Sequence, residues 1–387
     1  MENNYKIIIM TVLLSIVSIV ESSEYIPGDD YILLEVQKLT LVDSYRNKLK
    51  NTPGNIALLI EATKDIIAKA KKDNSDLLFG QVESILVKYK STVLKNNTLK
   101  TLYADILQHR HAFYKAKIFL KDINSSQAIL MRATIHQTLG EYSNASSECN
   151  KLIGKVNILV IVTCITHAKS YQGKLTTNYN ILKKVMNNFT DEDSATKTWA
   201  LTALGEMAYR MGSLEESIGY YQQANKLNPD NTHIISEWVD ILFSMNKQDE
   251  IISLLKDNHD DMRLNLRYLR SLIETNRYNE LLHGTEKASL KDLITITELR
   301  EDQRHYDTRA EFYIWINKDS NKALNWAREN WSVTKTPAAA KLLLIASRLT
   351  NNKTNLGEVK AWFEQNNIED NSLRRMLSLL VKFEVVA

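Results

Sequence analysis

Residues 200–231 read ALTALGEMAYRMGSLEESIGYYQQANKLNPDN. Leu201, Leu204, Gly205 and Ala208 share one helical face, Gly212 interrupts the pattern, and Leu214, Ser217, Tyr221 and Ala224 form a second face before Pro229. The stretch predicts two helices joined by a glycine turn. The small side chains at Gly205 and Ser217 predict a close approach of those helices, with the bulky positions filling the gaps around them.

The same pattern continues on both sides. TIHQTLGEYSNASSECNKL (134–152) places Gly140, Tyr142, Ala145 and Leu152 at matching offsets, with Ala133 just before it, and ITHAKSYQGKLTTNYNIL (165–182) repeats the turn glycine at Gly173. Downstream, 238–255 and 266–282 keep the hydrophobic spacing, with Asn246 and Asn276 in place of the glycine. Asn tolerates the left-handed backbone that a helix end often requires. A weaker unit, LYADILQHRHAFYKAKIFL (102–120), turns near His111. Turns at 111, 140, 173, 212, 246 and 276 are 29, 33, 39, 34 and 30 residues apart. That period, with its large and small positions on two helices and a terminal proline, is similar to the tetratricopeptide repeat.

Composition agrees. Only 11 Gly and 4 Pro occur in 387 residues, far below the average share of these turn formers, which argues against a sandwich, barrel or propeller. All four prolines, at 27, 53, 229 and 337, fall at predicted boundaries. The expected fold class is all-α, a right-handed superhelix of about seven antiparallel helical pairs. Five segments are expected: 1–22 a signal peptide, 23–52 an extension containing ILLEVQKLTLV of undecided type, 53–96 a capping helical pair, 97–285 the repeats, and 286–387 divergent C-terminal repeats and cap. Within the last, 290–333 reads as a long helix, a turn at 317–319 and an Ala- and Trp-rich helix; helices follow from Thr336-Pro337, over 355–365 and over 372–383.

At the N-terminus, IIIMTVLLSIVSIV (7–20) is an apolar run preceded by Lys6 and followed by ESSEY. It is too short to span a bilayer and reads as a secretory signal peptide cleaved after Ser22, with an uncleaved anchor as the rival reading. The mature chain is then expected in the periplasm with no membrane span. A formal net charge of +3 gives no electrostatic case for nucleic acid.

The chain also resembles exported tetratricopeptide repeat proteins of Gram-negative bacteria, through TWALTALGEMAYRMGS (198–213), YDTRAEFYIWINKDSNKALNWARENWSVTKTPAAAKLLLIAS (306–347) and the pair Cys149 and Cys164. The resemblance implies a periplasmic solenoid that binds other proteins, and brings no reaction with it. Cys149 lies near the end of one predicted helix and Cys164 near the start of the next, so both sit at about the same height on facing helices. An oxidising compartment favours a disulfide between them, worth ~3 kcal/mol by loop entropy; two buried thiols would suit the same positions.

No HExxH, GxSxG, phosphate-cradling glycine loop or calcium loop occurs. His109 and His111 point about 200° apart on a helix and are not expected to chelate. No cofactor, metal or catalytic residue is therefore expected, and Trp315, Trp326 and Trp331 read as core. The remaining candidate is the concave wall built by the first helix of each repeat: Asp105, His109, Gln137, His167, Tyr171, Trp199, Glu206, Tyr209, Arg210, Asp240, Phe243 and Arg270. Mixed aromatic and charged side chains suit recognition of a peptide or protein segment. The expected function is a non-enzymatic scaffold or adaptor; the alternative is an accessory protein that holds a cell-envelope glycan or peptide between the solenoid and its C-terminal cap.

Overall fold

Gly205 shows why these sequences pair as helices. A Cβ at Gly205 would lie 2.7 Å from the Tyr221 ring, and the buried Ser217 hydroxyl donates to the Gly205 carbonyl at 2.6 Å. The two helices therefore touch where their side chains are smallest, as the sequence predicts. Gly212 ends the first helix at φ +84°, and Asn246 and Asn276 adopt φ 55° and 56° at the equivalent turns.

The structure, a computed structural model, describes residues 40–384 apart from 191–192, 258, 260, 278–284 and 301–302, with backbone only at 285–288 and 380–384. The expected signal peptide and residues 23–39 lie outside the described residues. Among the described residues there are only helices, turns and irregular segments, and together they form a helical-repeat solenoid.

The N-terminal helices are α1 (Thr40–Asn51), α2 (Ile56–Lys72), α3 (Asp76–Lys88) and the short α4 (Lys90–Lys95). Val42, Tyr45 and Leu49 of α1 bury themselves with α2 and α3 in one apolar cluster, so the helical end of the expected extension packs with the capping pair. Five pairs follow: α5 (Asn97–His109) with α6 (Phe113–Leu120), α7 (Ser126–Thr138) with α8 (Tyr142–Asn150), α9 (Ile158–Lys169) with α10 (Leu175–Asn187), α11 (Ser194–Met211) with α12 (Leu214–Leu227), and α13 (Thr232–Ser244) with α14 (Gln248–Leu255). Then come α15 (Met262–Glu274), α16 (Thr285–Leu299), α17 (Tyr306–Trp315), α18 (Ser320–Val333), α19 (Pro337–Leu349), α20 (Thr354–Gln365) and α21 (Asn371–Glu384). Thr336 caps α19 through its side chain, with Pro337 in the first turn.

One expectation needs correction. The single long helix before the turn at 317–319 is two helices, α16 and α17, separated by a 3-10 turn at Gln303–His305. Arg304 and His305 in that turn reach a distant carboxylate, Asp76, instead of continuing a helix.

That contact belongs to a regular feature. Turns within the early pairs receive the connections that precede α15, α17, α19 and α21. Asn74, between α2 and α3, meets Asp261, and Asp76 accepts from His305 at 2.9 Å and from Arg304. Between α7 and α8, the Lys335 amide donates to the Thr138 carbonyl at 2.7 Å, and the Tyr142 hydroxyl donates to the Lys335 carbonyl at 2.9 Å. The Leu175 amide, at the start of α10, donates to Glu369, and Asn371 donates to the Met211 carbonyl at 2.6 Å. Each contact joins residues 160 to 230 apart in sequence, so the chain winds once and lays a second coil along the turns of the first.

The turn glycines sit where the coils meet. A Cβ at Gly140 would lie 2.9 Å from the Lys335 Cβ, one at Gly173 would lie 3.2 Å from the Asn367 Cβ, and one at Gly212 would lie 3.3 Å from the Asn371 amide nitrogen. Glycine serves there twice, for a left-handed backbone and for close approach.

Candidate protein-binding wall

The first helices of successive pairs, α5, α7, α9, α11, α13, then α15 and α17, carry the residues that sequence offsets assign to a concave wall. The structure gathers them into two networks and leaves others apart.

The first network centres on Glu206 of α11. Its carboxylate accepts from the Tyr171 hydroxyl at 3.0 Å, lies 2.7 Å from the Arg210 Nε and 3.2 Å from His167. His167 contacts Gln137 at 3.0 Å. The Arg210 guanidinium also donates to the Ser170 carbonyl at 3.0 Å and lies 4.1 Å from the Tyr171 ring centre, while Tyr171 stacks on Tyr142 at 4.8 Å. Burial alone would raise the Glu206 carboxyl, but Arg210 and His167 hold it down to about 2. The same burial, with Glu206 alongside, pushes the Tyr171 phenol far up. Arg210 is 1% exposed and Tyr171 5%; Tyr142 and Tyr171 belong to the apolar cluster of the C-terminal helices. The second coil covers these side chains.

The second network is half open at its carboxylates, over a buried Arg267. Asp240 of α13 accepts two hydrogen bonds from Arg267 of α15, at 2.8 and 2.7 Å, and Arg267 reaches Glu311 of α17 at 3.4 Å. Asp240 keeps 40% of its side-chain exposure. Glu237, one turn before it, keeps 36% and lies 3.8 Å from His233, and partial burial with the Asp240 charge pushes its carboxyl up to about 7. Burial likewise raises Glu311 to about 7, against the pull of Arg267 and with the help of Asp240 and Asp307. Beside them, the Arg270 guanidinium lies 3.8 Å from the Phe243 ring centre and 3.9 Å from that of Trp315. Tyr209 completes this face: its hydroxyl is 3.0 Å from that of Ser244, and the Lys341 ammonium sits 4.7 Å from its ring.

Three expected wall residues stand elsewhere. Asp105 pairs with Lys71 at 2.7 Å. His109 stacks on Phe79 at 3.5 Å and contacts Asp76 at 3.3 Å. Trp199 packs against the apolar cluster containing Cys149 and Cys164. Those cysteines form a buried disulfide with a Cα–Cα distance of 5.6 Å, tying α8 to α9. Tyr209 and Phe243 pack one side against core clusters as well. Offsets overlooked Glu237, Arg267, Glu311 and Trp315. The spacing of Arg263, Arg267 and Arg270 at i, i+4 and i+7 on α15 marks a shared face; Glu311 and Trp315 lie beyond the range in which the repeat pattern is legible.

Trp331 is 3% exposed, and Trp315 and Trp326 pack against the same C-terminal cluster. No helix among the described residues is long and apolar enough to cross a membrane.

No family model matches the chain, and no curated protein matches it in sequence. Solved structures do. A tetratricopeptide repeat protein from Parabacteroides merdae is 15% identical over 66% of this chain and 98% of its own, with a TM-score of 0.36. A Rap protein in complex with Competence and Sporulation Factor is 11% identical over 89% of each chain, with a TM-score of 0.36. The tetratricopeptide repeat domain of P58(IPK) is 14% identical over 85% of this chain and 98% of its own, with a TM-score of 0.25.

Proposed function

We propose that this chain is a non-enzymatic protein-interaction scaffold or adaptor that holds a segment of a partner protein against the inner faces of α11, α13, α15 and α17. One observation carries the reading: Tyr209, Glu237, Asp240, Phe243 and Arg270 line up across consecutive helices as a half-exposed face of charges and aromatic rings. Such a face gives a few desolvated anchors among many contacts that only exclude water. The disulfide between Cys149 and Cys164 supports an oxidising compartment, which for this reading is the periplasm.

The test is photo-crosslinking in the cell. A photoreactive residue at Glu237 should capture a discrete protein, and the same residue at the outward-facing Tyr114, 60% exposed, should not. Tyr209→Ala combined with Glu237→Ala should abolish the capture by a probe at Asp240. Equal capture at both positions, or capture unaffected by the double substitution, overturns the reading.

A further inference from the structure

The N-terminal helices carry a charge that the rest of the chain lacks. Residues 40–125 hold 15 Lys and Arg against 8 Asp and Glu, a net charge of +7 in a chain whose total is +3. Part of that charge surrounds exposed apolar side chains. On α6, Phe113, Ala116 and Leu120 are buried, which turns Tyr114 and Ile118 outward one helical turn apart, 60% and 74% exposed. Leu94, at the end of α4, is 46% exposed and shares a groove of about 190 Å³ with Lys100, Ile118, Phe119, Asp122 and Ile123. Lys90, Lys95, Lys115 and Lys121 stand exposed near this groove, and Lys100 is half-buried. Among the described residues none of these five lysines forms an ion pair, whereas Lys117 of the same α6 is bound to Glu141 at 2.7 Å. Asp122 is the one carboxylate that lines the groove. The groove lies at the start of α5 and the end of α6, the opposite end of that pair from its turn at His111, and so away from the seam where the two coils meet.

Unpaired lysines beside exposed apolar side chains favour a counterpart that is anionic and apolar together. An acidic protein segment and a bilayer with anionic lipid both qualify, and shape separates them. Pockets that enclose a ligand measure about 300–1,000 Å³. The groove is smaller than that, and Ile118, one of its walls, is three-quarters exposed, so the apolar side chains project instead of lining a trough. Projecting apolar tips reach the acyl boundary of a bilayer, while ammonium groups on long apolar stems stay at the level of the lipid headgroups.

We propose that the face made by α4, the start of α5 and the end of α6 is a peripheral docking surface for a bilayer that contains anionic lipid. Leu94, Ile118 and Tyr114 enter the interface, and the five lysines meet the headgroups. These helices are not the ones proposed to hold a partner segment, so the scaffold sits on a bilayer and holds a partner at once, and either property stands without the other.

Co-sedimentation of the full chain with lipid vesicles tests it. Vesicles of phosphatidylcholine with phosphatidylglycerol should bind the protein at least ~10-fold more tightly than phosphatidylcholine alone, and added salt should weaken that binding. The combined Lys90→Gln, Lys95→Gln and Lys121→Gln variant should bind at least ~10-fold more weakly. The same charge loss on other pairs, Lys155→Gln with Lys169→Gln and Lys226→Gln, should have a much smaller effect. Leu94→Ser with Ile118→Ser leaves the charge unchanged and should also weaken binding, by about 10-fold. All these side chains are exposed, so each variant should keep the wild-type circular dichroism. No retention by the anionic vesicles, equal retention by neutral ones, equal losses in the two lysine variants, or binding unaffected by Leu94→Ser with Ile118→Ser overturns the proposal. A photoreactive residue at Ile118 should label lipid in the cell; capture of a discrete protein there would assign the face to a protein partner and overturn it as well. None of these failures touches capture at Glu237, which reads the wall alone.

Discussion

The two networks on the inner helices each pair an arginine with a carboxylate six residues before a turn, Glu206 or Asp240, yet they differ in exposure. Around Glu206 the arginine and the tyrosine are buried, Arg210 at 1% and Tyr171 at 5%, and the carboxylate keeps 22%. Around Asp240 the arginine is buried as well, but the carboxylates stay half open, Asp240 at 40% and Glu237 at 36%. The difference teaches that repeat offsets assign a face, whereas another layer of the fold decides whether that face meets solvent.

The largest test of the contrast is to remove one ion from each network. Arg210→Ala removes the buried cation beside Glu206, which keeps Tyr171 and His167 as partners, and should lower unfolding stability by about 2–3 kcal/mol. Asp240→Ala takes a half-exposed carboxylate from a buried Arg267, which keeps Glu311, and should cost about 1–2 kcal/mol. Urea unfolding of both variants measures the gap; equal losses would mean the two networks are equally buried in solution.

The turns offer a second, smaller contrast. Gly140 and Gly154 have nearly the same φ, 75° and 76°, but a Cβ at Gly140 meets Lys335 whereas nothing lies within 4 Å at Gly154. Gly154→Ala should cost about 1–2 kcal/mol for the left-handed backbone alone. Gly140→Ala should cost at least about 1 kcal/mol more, because the second coil must shift. Matching thermal unfolding shifts for the two variants would remove the seam from the account of why glycine stands at 140.

The smallest effect concerns pH. Glu237 is raised from 4.5 to about 7, so its protonated form favours the folded state. That contribution is fully present below about 4.5 and is lost as pH rises through 7. Glu237→Gln keeps the uncharged form, so it should match the wild type at pH 4 and be the more stable of the two at pH 8. A variant that is less stable at pH 8 would show that the carboxylate has a cation partner there.

Much of this was legible in residues. Gly205 with Ser217 foretold the close helix contact, Asn246 and Asn276 the left-handed turns, and Cys149 with Cys164 the bridge between neighbouring helices, since all three depend on residues close in sequence and on helical geometry. The break at 303–305 was not legible, because Arg304 and His305 leave the helix for Asp76, whose carboxylate is 228 and 229 residues away. Trp199 and His109 stand outside both networks for a similar reason: a helical face contains both core and surface positions, and the neighbouring pair chooses between them.

By itself, the sequence determined an all-α repeat, its register and its turns, because hydrophobic periodicity and left-handed backbone positions are local properties. Only the tertiary structure decided that the chain coils back on itself. That outcome sums small angles between successive pairs, and no single residue encodes the sum. It turned three turn glycines into docking points, sealed Arg210 and Tyr171, and left Tyr209, Glu237 and Asp240 on the half-open wall.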